Sequence, residues 1–216
     1  MGKKLVLIVL FILPLVVYMF FATGVNNFVN LPILTKNISE LPNWKSLNNT
    51  KVKLKENITI LGFLGNDVLT EKGNLFNLNQ KIYNKNKEFK DFQIVMIAPN
   101  GTEKNIQSII DELGTISDLS GWKFVFTSLD SIAFFHKKLK IQEVLDPSIG
   151  STNVYIIDKD LNLRGRKGKD LKGENEYKEG YNTISAADLH NNMSDDVKVI
   201  LAEYRLALKR NNKRKI

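Results

Sequence analysis

Three short, nearly unbroken apolar runs constrain this chain more than any other feature: residues 58–64 (ITILGFL), 92–98 (FQIVMIA) and 122–127 (WKFVFT). A strand with one wet face alternates apolar and polar side chains. A strand covered on both faces need not, so these runs read as central strands of a buried sheet. Helical spacing follows each of them. Leu75, Leu78, Ile82 and Phe89 fall on one face of a helix from about Asn74. Ile106, Ile109, Ile110 and Leu113 repeat at i, i+3, i+4, i+7 behind Thr102, a residue able to cap. Ile132, Phe135 and Leu139 follow Ser128, a second capping residue. Strand–helix–strand alternation demands crossovers, which make neighbouring strands parallel and lay the helices on the sheet.

Further on, residues 154–157 and 161–164 flank Asp158-Lys159-Asp160 as a hairpin. Residues 166–182 (RKGKDLKGENEYKEGYN) are polar and glycine-rich and read as a solvated loop. A last helix begins near Ser194. Asp195 and Asp196 sit at its positive end, Lys209 and Arg210 near its negative end. Val197, Ile200, Leu201, Tyr204 and Leu208 form its apolar stripe. The order β-α-β-α-β-α-β-β-α predicts a thioredoxin-like α/β fold: a mostly parallel, mixed sheet flanked by helices, with a terminal antiparallel hairpin.

Residues 5–22 (LVLIVLFILPLVVYMFFA) carry no charge; Lys3 and Lys4 precede them and the next charge is Lys36. A helix rises about 1.5 Å per residue, so about 20 apolar residues cross a bilayer core. Residues 23–25 complete that length, and one N-terminal transmembrane helix is expected. The two lysines on the short side place the N-terminus in the cytoplasm and the remainder outside, in the periplasm if the cell is bacterial. A cleaved signal peptide is the alternative, with Ala22-Thr23-Gly24 as small residues at the cut. Phe20 and Phe21 stand where small residues are wanted, which favours the uncleaved anchor. The expected organisation is an anchor over 1–25, a stalk over 26–50, a domain over 51–210 and a basic tail over 211–216. Pro32 and Pro42 oppose helix in the stalk.

The formal charge of +8 belongs to the two ends. Lys3 and Lys4 open the chain, Arg205, Lys209, Arg210, Lys213, Arg214 and Lys215 close it, and residues 5–204 hold 23 basic and 23 acidic side chains. A neutral domain outside the cytoplasm is no nucleic-acid binder. The chain has no cysteine. Thiol–disulfide exchange, thiolate metal ligation and cysteine nucleophilic catalysis are therefore closed to it.

The segments WKFVFTS (122–128) with IAFF (132–135) resemble the Trp-x-Phe-Leu-Thr-Gly stretch and following helix of the Sco/SenC family. NVYIIDKDL (153–161) resembles that family's Tyr-Leu-Ile-Asp-x-Asp-Gly hairpin, and IAPNGTE (97–103) its Val-Asp-Pro-Glu turn. The resemblance covers most of residues 30–210 and implies an anchored thioredoxin-like domain. Members of that family bind copper and support cytochrome oxidase assembly, or act as thiol reductants, through a Cys-x-x-x-Cys and a distant His. Here the two Cys positions fall near Asp67 and Glu71 and the His position near Gly150. Copper(I) prefers soft ligands, so two carboxylates are poor substitutes. The resemblance thus implies the fold without the activity.

Asp67 and Glu71, four apart before a helix, suit contact with a basic partner or a hard cation. The plainer reading is acids at a helix N-terminus. His190 and Met193, spaced i, i+3, offer one nitrogen and one sulfur to copper, the alternative of a metal-binding protein with non-cysteine ligands. His136, before Lys137-Lys138, reads as a helix-surface residue. Arg164, Arg166, Lys167 and Lys169 form a basic cluster suited to an acidic partner or lipid headgroups, or a merely solvated loop. The tail with Lys209, Arg210, Lys213, Arg214 and Lys215 suits anionic lipid, or is a frayed helix end. With two histidines and no motif around either, no catalytic constellation is expected, no cofactor is implied, and a non-enzymatic binding or scaffold role remains. Its partners are the membrane and, through this role, a membrane or extracytoplasmic protein.

Overall fold

The computed structural model describes residues 2–23, 30–170 and 172–213. The chain opens with helix α1 (Lys3–Thr23), interrupted by neither turn nor break despite Pro14. Large apolar side chains from Val9 to Met19 stand exposed along it, Phe11 at 74% and Tyr18 at 71%. Among the described residues no helix is long and apolar enough to cross a membrane. In α1 the described side chains run only over residues 9–19.

The three apolar runs are strands, as their composition requires. They are β3 (Ile58–Leu64), β4 (Phe92–Pro99) and β5 (Trp122–Thr127), with β3 and β4 buried along their whole length. β3, β4 and β5 pair in parallel. Everything that flanks them is antiparallel. On one side stand β6 (Gly150–Ile157) and β7 (Leu163–Arg164), then β1 (Ile33–Thr35). On the other, β2 (Lys45–Ser46) lies along β5. The expected mostly parallel sheet is thus a parallel core of three strands inside antiparallel edges, ordered β1-β7-β6-β3-β4-β5-β2.

Alternate residues of the central strands supply two cores, because side chains of a strand point to opposite faces. Ile60, Ile94, Met96, Phe124 and Ile156 face one layer of helices: α2 (Lys72–Leu78), α4 (Glu103–Gly114) and α7 (Ser194–Lys213). Leu61, Phe63, Val95, Ile97 and Tyr155 face α5 (Leu129–Leu139) and the segments before and after β2 that bear Ile38, Leu41 and Leu54. Ser128 caps α5 by accepting from the Ser131 amide at 3.3 Å. Thr102 occupies the N-cap of α4 but makes no side-chain cap; its hydroxyl donates instead to the Pro99 carbonyl at 2.8 Å.

Several expectations are corrected. Residues 30–50 do not behave as a stalk. Leu31 (4% exposed), Ile38 and Leu41 are buried, and β1 and β2 extend both edges of the sheet. Two- and three-residue strands beside prolines leave no periodicity to read. The helix expected from about Asn74 starts at Lys72 and widens into a π-helical stretch over Asn79–Tyr83 before α3 (Asn84–Asn86). The helix ends at Asn86, so Phe89, expected inside, lies in the turn beyond it and is 39% exposed. The solvated loop contains a separate hairpin, β8 (Arg166–Lys169) with β9 (Asn175–Lys178), and β10 (Tyr181–Asn182), which joins β6. A short helix α6 (Ala186–Asp188) and a second π-helical stretch, Leu189–Met193, lead into α7.

Candidate binding face at the end of the central strand

Strand β3 ends at Leu64, which pairs with Gly150 at the start of β6. Gly65 then turns the chain at φ +65°. Here only glycine fits: a Cβ would lie 2.6 Å from the Ser148 hydroxyl, 2.9 Å from its carbonyl and 3.0 Å from the Gly150 Cα. The Asn66 amide donates to the Ser148 carbonyl at 3.0 Å. The loop after β3 is therefore laid directly on residues 148–150.

From that turn the loop coils tightly into α2. The Thr70 hydroxyl donates to the Asp67 carbonyl at 2.8 Å, and the Glu71 amide to Val68 at 3.2 Å. Val68 is fully buried and holds the loop down, leaving Asp67 exposed and Leu69 52% exposed. Glu71 is half-buried and accepts from Asn74 at 2.6 Å. Both acids therefore stand between α2 and the Gly65 turn that packs on Ser148 and Gly150.

The opposite wall is built on carboxylates. Asp146 accepts from the Ser148 amide (2.7 Å), the Ser148 hydroxyl (2.6 Å) and the Gly150 amide (2.9 Å). Its desolvation works against ionisation, but these bonds prevail and hold its carboxyl below the usual range. Glu143 accepts from Ser151 (3.0 Å), Asn153 (2.9 Å) and the Tyr155 phenol (2.5 Å). Burial, followed by the bond to Glu143, raises the Tyr155 pKa strongly, so the phenol is a permanent donor. Buried Glu179 accepts from the amides of Gln142 and Glu143 at 2.7 and 2.9 Å. Glu143 holds this segment onto β6, and Glu179 holds it to the chain just before β10. Sequence reasoning missed both, because their partners lie up to 37 positions away.

A third segment closes the face. The Thr183 amide donates to the Thr152 carbonyl at 2.9 Å, and Asn77 of α2 donates to the Thr183 carbonyl at 3.1 Å. Leu69, Val144 (83% exposed) and Ile184 (60%) thus stand on three segments tied to the Gly150 end of β6. Large apolar side chains this exposed on converging segments mark a surface that tolerates covering.

The other candidates are not brought together. His190 is exposed while Met193 is fully buried. The pair lies in the π-helical stretch, whose wider turn carries i and i+3 to different faces. Among the described residues no group of three metal-ligating side chains occurs. His136 is not on the surface: it is 7% exposed, edge-on to Phe63 with ring centroids 5.2 Å apart, and its Nε2 has no partner. Burial lowers its pKa, with Glu143 and Glu179 pulling the other way. The spacing of Ile132, Phe135, His136 and Leu139 is i, i+3, i+4, i+7, a signal that the histidine belongs to the buried stripe.

The basic cluster divides in two. Arg164 is 5% exposed and bonds Asp158 at 3.0 Å, Glu203 at 2.6 Å and the Leu31 carbonyl at 2.8 Å. Arg166 bonds Asp196 at 2.7 Å, Glu176 at 3.2 Å and Asn192 at 3.1 Å. Both arginines are internal ties rather than docking groups. Lys167 and Lys169 remain exposed on β8. Lys209, Arg210 and Lys213 lie on the last turns of α7, beyond the described side chains, and Arg214 and Lys215 lie outside the described residues.

No protein-family model and no curated protein matches the chain. Solved structures do. BsSco, a member of the Sco family of cytochrome c oxidase assembly proteins in which a disulfide switch was identified, superposes with a TM-score of 0.54 at 14% identity. The match covers 80% of this chain and 98% of that one. The soluble domain of Sco1 from Bacillus subtilis gives 0.49 at 14% identity, over 78% of this chain and 97% of that one. A thiol:disulfide interchange protein from Bacteroides sp. gives 0.48 at 15% identity, over 77% and 91%. At the identity of the first match it is the fold that is shared. The chain is a thioredoxin-like α/β domain resembling Sco proteins in architecture and carrying no cysteine.

Proposed function

We propose that this chain is a membrane-anchored, extracytoplasmic, non-enzymatic binding protein, and that it docks a protein partner through the face formed by residues 65–73, 143–153 and 184. One observation carries the reading. The loop after β3 is built to close tolerance on Ser148 and Gly150, yet presents a carboxylate and apolar side chains where a thiol enzyme needs cysteines. Thiol–disulfide chemistry is impossible without a thiol, so the face serves recognition. The exposed apolar side chains of α1, with Lys3 and Lys4 before them, support the anchor and its orientation. A role accessory to assembly of a respiratory oxidase rests on the resemblance to Sco proteins. The lysines Lys167 and Lys169 are a secondary contact.

The test is recovery of partners from native membranes with the tagged full chain and with Asp67→Ala/Glu71→Ala. The double change should weaken recovery while leaving stability within ~1 kcal/mol, since Asp67 is exposed and half-buried Glu71 loses one local bond, to Asn74. Undiminished recovery of every partner would overturn the face. The anchor has its own test: the chain should stay with membranes through a carbonate wash, and a reporter active only outside the cytoplasm should work when fused after Ile216.

A further inference from the structure

At the far end of β3 from this face, a groove of about 180 Å³ opens between the start of the strand, the turn before β4 and helix α7. Its apolar lining comes from Ile58, Phe89, Leu201 and Tyr204. A second hollow, about 190 Å³, shares Phe89, Leu201 and Arg205 with it and continues along α7 to Lys198. Phe89 stands between the two. It is an aromatic side chain 39% exposed.

The rim is basic. Lys90, Lys159, Lys198 and Arg205 line these two hollows against a single acid, Asp91. Asp91 engages Lys159 at 2.5 Å, and Lys198 bonds Asp195 at 2.9 Å. Among the described residues neither Lys90 nor Arg205 has an ion-pair partner. Beyond Arg205 the sequence places Lys209 and Lys213 at four-residue steps along the same helix, one turn apart each.

The groove also lies beside the point where the chain joins the domain. Leu31 donates its amide to Glu203 at 2.6 Å and gives its carbonyl to Arg164, which bonds Glu203 in turn. Glu203 sits between Leu201 and Tyr204 in sequence. Seven residues lie between Thr23, the end of α1, and Leu31. Extended chain covers at most ~3.6 Å per residue, which keeps Leu31 within roughly 30 Å of that end.

We infer that this end of the domain rests on the anionic lipid surface into which the chain is anchored. Phe89 enters the headgroup layer, and Lys90, Lys159, Lys198 and Arg205 meet lipid phosphates. An aromatic residue among lysines and arginines suits that boundary, where apolar burial and attraction to anionic lipid act together. Docking this end leaves the Gly65–Gly150 face, at the opposite end of β3, turned away from the bilayer. The inference rests on the anchor in the proposed function but not on the identity of any partner.

The absence of cysteine makes the test clean. The full-length chain carrying Phe89→Cys is labelled with an environment-sensitive fluorophore and reconstituted in phosphatidylcholine vesicles with and without phosphatidylglycerol. Ala202→Cys serves as a second reporter on the groove and Val144→Cys as a reference on the far face. The groove labels should shift to the blue and be quenched by spin-labelled lipid in the anionic vesicles only, while the label at position 144 stays aqueous. Lys90→Glu/Arg205→Glu should reverse the shift; each lost basic contact lowers the docked-to-undocked ratio roughly fivefold, and each reversed charge lowers it further. Groove labels that stay aqueous in both vesicle types, or shift equally in both, overturn the inference. Failure of the anchor itself is seen separately, as protein that no longer floats with vesicles of either composition.

Discussion

Replacing Gly65 with alanine isolates the physical basis of the candidate face. Two costs add. At φ +65° an L-residue meets its own backbone, at about 1–2 kcal/mol. The new Cβ also meets the Ser148 hydroxyl at 2.6 Å, the Ser148 carbonyl at 2.9 Å and the Gly150 Cα at 3.0 Å. The hydroxyl can rotate, but the two backbone atoms cannot move without parting the loop from β6, and overpacking of this kind costs about 1–3 kcal/mol. The sum is about 2–5 kcal/mol. Gly73 is the internal control, because it is helical and a Cβ there meets nothing within 4 Å. Gly73→Ala should stabilise by about 0.5–1 kcal/mol. Urea unfolding of the full chain in detergent, followed by fluorescence of Trp44 and Trp122, reads both changes in the domain. A Gly65→Ala variant within 1 kcal/mol of the parent, with partner recovery intact, would show that the loop does not need its seat on residues 148–150.

The buried arginine gives a second test. Arg164→Leu strands Asp158, 1% exposed, and Glu203 without their cation, and should cost about 3–5 kcal/mol. Lys167→Ala/Lys169→Ala should stay within ~0.5 kcal/mol; equal effects would contradict the division of that cluster. Acidification should destabilise in two stages. The folded pKa of His136 lies below its ordinary 6.5, so between those values the unfolded chain binds more protons, and stability falls as pH drops below about 6.5. Asp188 is held below its ordinary 3.8: desolvation opposes this, but bonds from Asn192, the Asn182 amide and Lys178 outweigh it. Its stabilising share is lost as pH falls through its folded value. His136→Phe should remove the first stage and leave the second; a first stage that persists would move its cause to another group.

How much of this was legible follows from burial. The three central strands could be read because strands covered on both faces are continuous apolar runs, and Ser128 because a cap is a local bond. The loop at Asp67 could be placed beside Gly150 through the resemblance, since the first follows one recognisable strand and the second opens another. What escaped is tertiary. Arg164 looked like a surface residue among Arg166, Lys167 and Lys169, and only the approach of Leu31 and of Glu203, 39 residues later, buries it. Glu143 and Glu179 carry no pattern at all. Residues 31–46 pair through strands too short to show a period, and the β8–β9 hairpin is polar because it stands off the main sheet as a two-stranded ribbon. The π-helical stretch at Leu189–Met193 broke the helical counting that paired His190 with Met193, and a second at Asn79–Tyr83 interrupts the helix after β3.

Site-specific photo-crosslinking in native membranes asks whether the loop after β3 touches a partner. A photoreactive side chain at position 69, on the loop after β3, is compared with one at position 116, where Ile116 is 62% exposed beyond α4 and far from the Gly150 end of the sheet. A partner docked on the Gly65–Gly150 face gives a discrete adduct with a membrane or extracytoplasmic protein from position 69, lost with Asp67→Ala/Glu71→Ala, and none from position 116. Adducts from 116 but not 69, or none from positions 69, 144 and 184 alike, would contradict that docking.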